Sequence, residues 1–178
     1  MLPSRVVRGR RNPQHVGFPL RLARARKAAG LTAAALSLTA GMAHNTAGDL
    51  EAGGRHPRVD TVEKLASVLR ISPGLLAYGI ESHYEPGAAS LSSGLPARLA
   101  QLRQERSLSC RELGRRSDTS HNFVQMTETG ATVPSIAKVE QLAQALAVSS
   151  SWLAFGIGER DFAPPRRIRA AGAAVQPA

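Results

Sequence analysis

Residues 108–156 read LSCRELGRRSDTSHNFVQMTETGATVPSIAKVEQLAQALAVSSSWLAFG, and the punctuation of this stretch decides the fold. Ser109 precedes a short run with Glu112 three residues on, the pattern of a capping box at a helix N-terminus. Leu113 gives that helix an inward face. A further short helix begins near Ser120 and stops at Gly130, because glycine reaches the left-handed backbone that closes a helix at little cost. Pro134 lies in the loop that follows. Val139, Leu142, Ala143 and Leu146 then recur on one face of a longer helix, and Ser149 caps a short last helix ending at Gly156. Upstream, Leu99, Leu102 and Arg106 mark an opening helix, which makes five.

The same pattern occurs earlier in the chain. A shift of 77 residues lays Pro19–Glu81 on Pro96–Gly158 without a gap, with 22 identities over 63 positions. They include Arg26/Arg103, His44/His121, Asn45/Asn122, Glu51/Glu128, Gly53/Gly130, Pro57/Pro134 and Glu63/Glu140. One unbroken register of this length marks an internal repeat. In the first repeat Leu22, Ala25 and Ala29 share a helix face that Gly30 ends. Thr32 caps the second helix, a third begins near Ala43, and Ser72 caps the fifth, which ends at Gly79. The expected organisation is a basic arm over 1–17, domains over 18–81 and 95–159, a Pro-, Gly- and Ser-containing linker over 82–94, and a basic tail over 160–178.

The chain has 178 residues, 43% hydrophobic but only 4% aromatic, so its core rests on Leu, Val, Ile and Ala. The single cysteine, Cys110, forms no internal disulfide, and no Cys/His set has metal-ligand spacing. No apolar run is long enough to cross a membrane. The basic start lacks the apolar stretch and small-residue cleavage site of a secretory signal, so a cytoplasmic protein is expected. The net charge of +10 favours a polyanion as partner. Much of it sits at the ends, where Arg5, Arg8, Arg10 and Arg11 precede the first repeat with no acid among them. Basic ends of this kind read as flexible arms that neutralise phosphate.

In its order of elements each repeat resembles the Xre family, the phage-repressor and Cro type of helix-turn-helix domain. Residues 108–156 are similar to that family's second helix, turn, recognition helix, E-x-G stop, proline loop, fourth helix and terminal S-x-x-W-L segment. The resemblance spans about 18–81 and 95–159. It implies an all-α fold of two tandem five-helix, lambda-repressor-like domains with flexible basic termini. It also implies that the third helix lies in the major groove with its first side chains at base edges. His121, Asn122 and Gln125 are the base-contact candidates of the second repeat, and His44 and Asn45 those of the first. Asn and Gln pair bidentately with adenine, and His donates to guanine or phosphate. Histidines on a solvated surface and asparagine caps are the plainer readings of the same residues. Phosphate-contact candidates are Arg5, Arg8, Arg10, Arg11, Arg55, Arg111 and Arg115. Arg26 with Glu51, and Arg103 with Glu128, correspond to the family's ion pair between the first helix and the end of the third, a structural role. Trp152 and Phe155 read as core, with Leu75 and Tyr78 as their equivalents.

The sequence departs from the family where Ala33 and Cys110 stand in place of a usual glutamine in the second helix. Thr127 occupies a usually apolar position. In the first repeat Gly48 weakens the third helix and Asp49 repels phosphate, so that repeat is expected to bind DNA weakly or to serve in packing or dimerisation.

The chain carries no Gly-rich phosphate loop, nucleophile elbow or paired-carboxylate motif, so a non-enzyme is expected, with no cofactor and no metal. The leading expectation is a transcriptional regulator whose partner is double-stranded DNA. An antitoxin-like or phage-control module, whose main partner is another protein, is the alternative; its short tail, nearly devoid of large apolar residues, disfavours it. Non-specific coating of DNA by basic arms is a third. By charge alone an anionic membrane ranks second to nucleic acid; a homodimer is left open, and no membrane partner is expected.

Overall fold

A computed structural model describes residues 13–85 and 90–161 of the chain. Arg5, Arg8, Arg10 and Arg11 lie outside the described residues, as does all of the C-terminal tail beyond Asp161. The first repeat folds into α1 (Phe18–Ala28), α2 (Ala33–Thr39), α3 (Thr46–Glu51), α4 (Val59–Leu69) and α5 (Pro73–Tyr78). The second folds into α6 (Leu95–Glu105), α7 (Cys110–Arg116), α8 (His121–Glu128), α9 (Ile136–Ala145) and α10 (Ser150–Phe155). A 3-10 turn leads into each repeat, Gln14–Gly17 before α1 and Ser92–Gly94 before α6. No β-strand is found among the described residues, so the fold is all-α, as expected.

Local chemistry sets most of the helix ends. Thr32, Ser72, Ser109 and Ser149 each accept a hydrogen bond from the backbone N–H three residues on. Pro19 and Pro96 sit in the first turn of α1 and α6, where the missing N–H is not needed. Gly79 and Gly156 close α5 and α10 in the left-handed conformation. The box at Ser109 and Glu112 is half formed. Ser109 caps the Glu112 amide, but the Glu112 carboxylate turns outward to Arg115 and Arg116, which outbid a single backbone N–H.

The buried apolar side chains of the two repeats join in one continuous cluster. Leu22, Leu36, Leu50, Val62 and Leu65 are buried in the first, and Leu99, Leu113, Val124, Val139 and Leu142 in the second. Burial of each such side chain is worth about 1.5–3 kcal/mol. Thr127 is fully buried at the position of Leu50; its hydroxyl donates 2.7 Å to the Phe123 carbonyl one turn back, which satisfies it without a partner outside the helix. Phe155 and Tyr78 are core residues, whereas Trp152 and Leu75 are only half-buried. The Arg160 guanidinium lies 5.3 Å from the Trp152 ring centre and pairs with Glu105. The start of the expected tail is therefore docked on the second repeat, with the Ser149 amide donating 2.9 Å to the Arg160 carbonyl.

The two repeats pack directly on one another. Their contacts are reciprocal. The Val59 amide donates 3.1 Å to the Pro134 carbonyl, and the Ile136 amide, at the equivalent position, donates 3.0 Å to the Pro57 carbonyl. Buried Glu140 on α9 accepts from the amides of Gln14 and His15, at 2.7 and 3.0 Å. Glu63 on α4, its equivalent, accepts from the amides of Leu91 and Ser92. Each 3-10 turn thus has its free N–H groups satisfied by an acid of the other repeat. Helices α5 and α10 lie against each other at the centre of the seam. Residue i meeting j while j's equivalent meets i's is the signature of a twofold-related, isologous interface. Here it is built within a single chain.

Candidate nucleic-acid interface

In the second repeat, α7 and α8 form two short helices joined by a tight turn. Backbone bonds from the Ser117 amide to Leu113 and from the Thr119 amide to Gly114 close the turn, and Asp118 takes a positive φ of 53° within it. Gly114 permits the close approach: a Cβ there would lie 2.9 Å from the Thr119 carbonyl oxygen and 3.1 Å from the His121 nitrogen. Ser120 then caps α8, its hydroxyl accepting from the Phe123 amide at 3.1 Å, so the helix starts at His121.

The cap fixes which side chains face out. His121, Asn122, Gln125, Met126 and Thr129 are exposed along one face of α8, while Val124 and Thr127 are buried on the other. The spacing is that of a single helix face. Exposed Arg111, Arg115 and Arg116 stand on α7. The Glu112 carboxylate accepts from Arg115 at 2.8 and 3.1 Å and from Arg116 at 2.7 Å. The hydrogen bonds from Arg115 and then Arg116 lower its pKa to about 2. Two of the three exposed α7 arginines are thus held by one carboxylate.

Behind this face, Arg103 grips Glu128 with a two-pronged fork, at 2.7 and 2.9 Å, and donates to the Leu108 carbonyl at 2.9 Å. Arg26 does the same with Glu51, at 2.6 and 2.8 Å, and with the Leu31 carbonyl. The four side chains are 11–17% exposed. Each pair ties the end of the third helix to the first helix and the following loop, so it positions the third helix from inside. Sequence reasoning assigned no role to Arg21 and Arg98, although they match in the repeat. They donate to the carbonyls of Leu76 and Ala77, and of Leu153 and Ala154, and hold the end of the fifth helix onto the first. Arg116 was missed as well, whereas Ser120 stands at the helix start expected of it.

The corresponding face of the first repeat differs. Its third helix begins at Thr46, not near Ala43, because Ala43 stands where Ser120 does and has no oxygen to cap with. His44 and Asn45 therefore lie in the turn ahead of α3, exposed, with their side chains 2.8 Å apart in a hydrogen bond to each other. The positions of Arg111, Glu112, Arg115 and Arg116 hold Ala34, Ala35, Leu38 and Thr39, and those of Gln125 and Met126 hold Gly48 and Asp49. Leu38 is 60% exposed. Arg55 is exposed on the loop after α3.

Two family models match the chain, one described as helix-turn-helix over residues 22–76 and one described as helix-turn-helix domain over residues 95–153. The protein belongs to the helix-turn-helix family, with two tandem domains in keeping with its Xre-type resemblance. The class this defines is a DNA-binding regulator. Neither a curated protein nor a solved structure matches the chain. No helix among the described residues is long and apolar enough to cross a membrane.

Proposed function

We propose that the protein is a sequence-specific transcriptional regulator that reads the DNA major groove with α8. The observation that carries this reading is the exposed trio His121, Asn122 and Gln125 at the capped start of α8, beside the α7 arginines. Asn122 and Gln125 have the amide geometry for bidentate pairing with an adenine edge, and His121 can donate to a guanine or a phosphate. Arg111 and Arg115 on α7 supply charge for the flanking phosphates, which sets register without reading sequence. In the first repeat, Arg55 is the described phosphate candidate, and His44 with Asn45 are weaker base candidates because they precede the helix. The N-terminal arginines Arg5, Arg8, Arg10 and Arg11 add phosphate neutralisation.

Selection of bound duplexes from random DNA by the full chain tests this. A reproducibly enriched sequence supports the proposal. Equal binding to all sequences contradicts it and favours simple electrostatic coating.

A further inference from the structure

We infer that one chain occupies an inverted pair of DNA half-sites by itself and reads bases in only one of them. The inference rests on the α8 reading above and adds the form of the site. Two observations carry it.

The first is the seam. A helix-turn-helix protein reads inverted half-sites because a twofold axis relates its two reading helices, and the symmetry of the operator mirrors that axis. Here the axis lies within one polypeptide. Pro57 and Ile136 are matched by Pro134 and Val59, and the Glu140 clasp on Gln14 and His15 by the Glu63 clasp on Leu91 and Ser92. The elements that form this axis are already paired, so a second chain is not needed to supply the second head.

The second is the inequality of the heads. The α8 face presents His121, Asn122 and Gln125 beside three arginines. The equivalent face of the first repeat presents Ala34, Leu38, Gly48 and Asp49, and its His44 and Asn45, the matches of His121 and Asn122, stand in the turn ahead of α3 and hydrogen-bond to each other. Alanine, leucine and glycine offer no hydrogen bond to a base edge, and an aspartate at the groove is repelled by phosphate. Arg55, on the loop after α3, leaves that half a phosphate contact. The first head is placed on the adjacent turn of DNA by the seam and anchors the backbone, while the second head specifies sequence.

The experiment takes the full chain with its enriched duplex and measures the mass of the complex in solution together with hydroxyl-radical protection. The expected result is one 18.8 kDa chain per duplex. Protection should fall in two segments about 10 bp apart on one face, with sequence enrichment in one segment only. Arg55→Ala should weaken selected and scrambled duplexes by the same factor and make the log–log salt slope shallower by about 0.9, the signature of one lost phosphate contact. Two chains on a palindrome enriched in both halves overturns the inference, as does protection confined to one segment. If no sequence is enriched, the base-reading proposal fails. Duplexes of graded length and arbitrary sequence then judge the two-headed geometry alone. Affinity per chain that rises until about two helical turns fit supports that geometry, and a plateau at one turn contradicts it.

Discussion

Gly74 and Ser151 occupy equivalent positions in the two repeats and abut each other across the seam, so closely that a Cβ on Gly74 would overlap the Ser151 hydroxyl. Ser151 is fully buried, and its hydroxyl has no hydrogen-bond partner among the described residues. The glycine is there for space, since its backbone is ordinary α-helix. Gly74→Ala should therefore lower stability by about 1–3 kcal/mol through overpacking, despite the better helix propensity of alanine. Ser151→Gly in the same chain should restore much of the loss. Ser151→Ala alone, which deletes an unsatisfied polar group, should be neutral or stabilising by about 1 kcal/mol. Urea unfolding of the four proteins checks these shifts; a Gly74→Ala chain as stable as the parent means the repeats are not packed this way.

Ser120 decides where α8 begins, and the natural comparison is already in the chain: Ala43 holds the same position, and there the third helix starts two residues later in the repeat. Ser120→Ala should cost about 1 kcal/mol of stability. It should also loosen the helical placement of His121 and Asn122, and so weaken binding to the enriched duplex more than to scrambled DNA. Amide exchange at Phe123 and Val124, compared before and after substitution, reports the fraying directly. Unchanged exchange at both would show that the cap does not set the start of α8.

How far the fold can be read from sequence divides along the same lines. Caps and stops such as Thr32, Ser149, Gly130 and Gly156 are local chemistry, and they were legible because a hydroxyl or a missing Cβ acts within its own turn. The Arg103–Glu128 fork was legible through the family resemblance. The onset of α3 was misread because the register made Ala43 equivalent to Ser120, while alanine lacks the oxygen that the serine uses. The seam was not legible. Pro57, Val59 and Gly74 look like ordinary loop and core residues, and only the matched acids Glu63 and Glu140 carried a trace of it.

Glu112 restrains the exposed arginines of α7 by holding Arg115 and Arg116 in its own ion pairs. Glu112→Gln should free both guanidinium groups and remove a negative charge from the α7 surface, so DNA binding should tighten and its salt slope steepen by up to about 0.9 per added phosphate contact. A carboxyl with its pKa lowered to about 2 gains stabilisation when ionised, and that contribution is lost only as pH falls from its ordinary value near 4.5 toward 2. The restraint therefore persists unchanged between pH 5 and 8. Titrations at two salt concentrations check this; weaker binding by the Gln variant would mean that the ion pairs orient the arginines for DNA.

The Arg103–Glu128 fork lies mostly out of solvent, so truncating one member strands the other. Arg103→Ala should lower stability by about 3 kcal/mol, and Glu128→Ala by a similar amount. The double variant should lose less than the sum, since no charge is then left unpaired. Chemical denaturation with all three variants measures the coupling, and strictly additive losses would contradict a direct pair.

Base reading by the exposed start of α8 sets the affinities of the parent, Asn122→Ala and Gln125→Ala for the enriched duplex and for a scrambled one apart. Both side chains are exposed, so the variants should fold as the parent does. Each should lose about 1–3 kcal/mol on the enriched duplex, roughly 5- to 150-fold in Kd, with little change on scrambled DNA. Equal losses on both duplexes, or no loss on either, would contradict it.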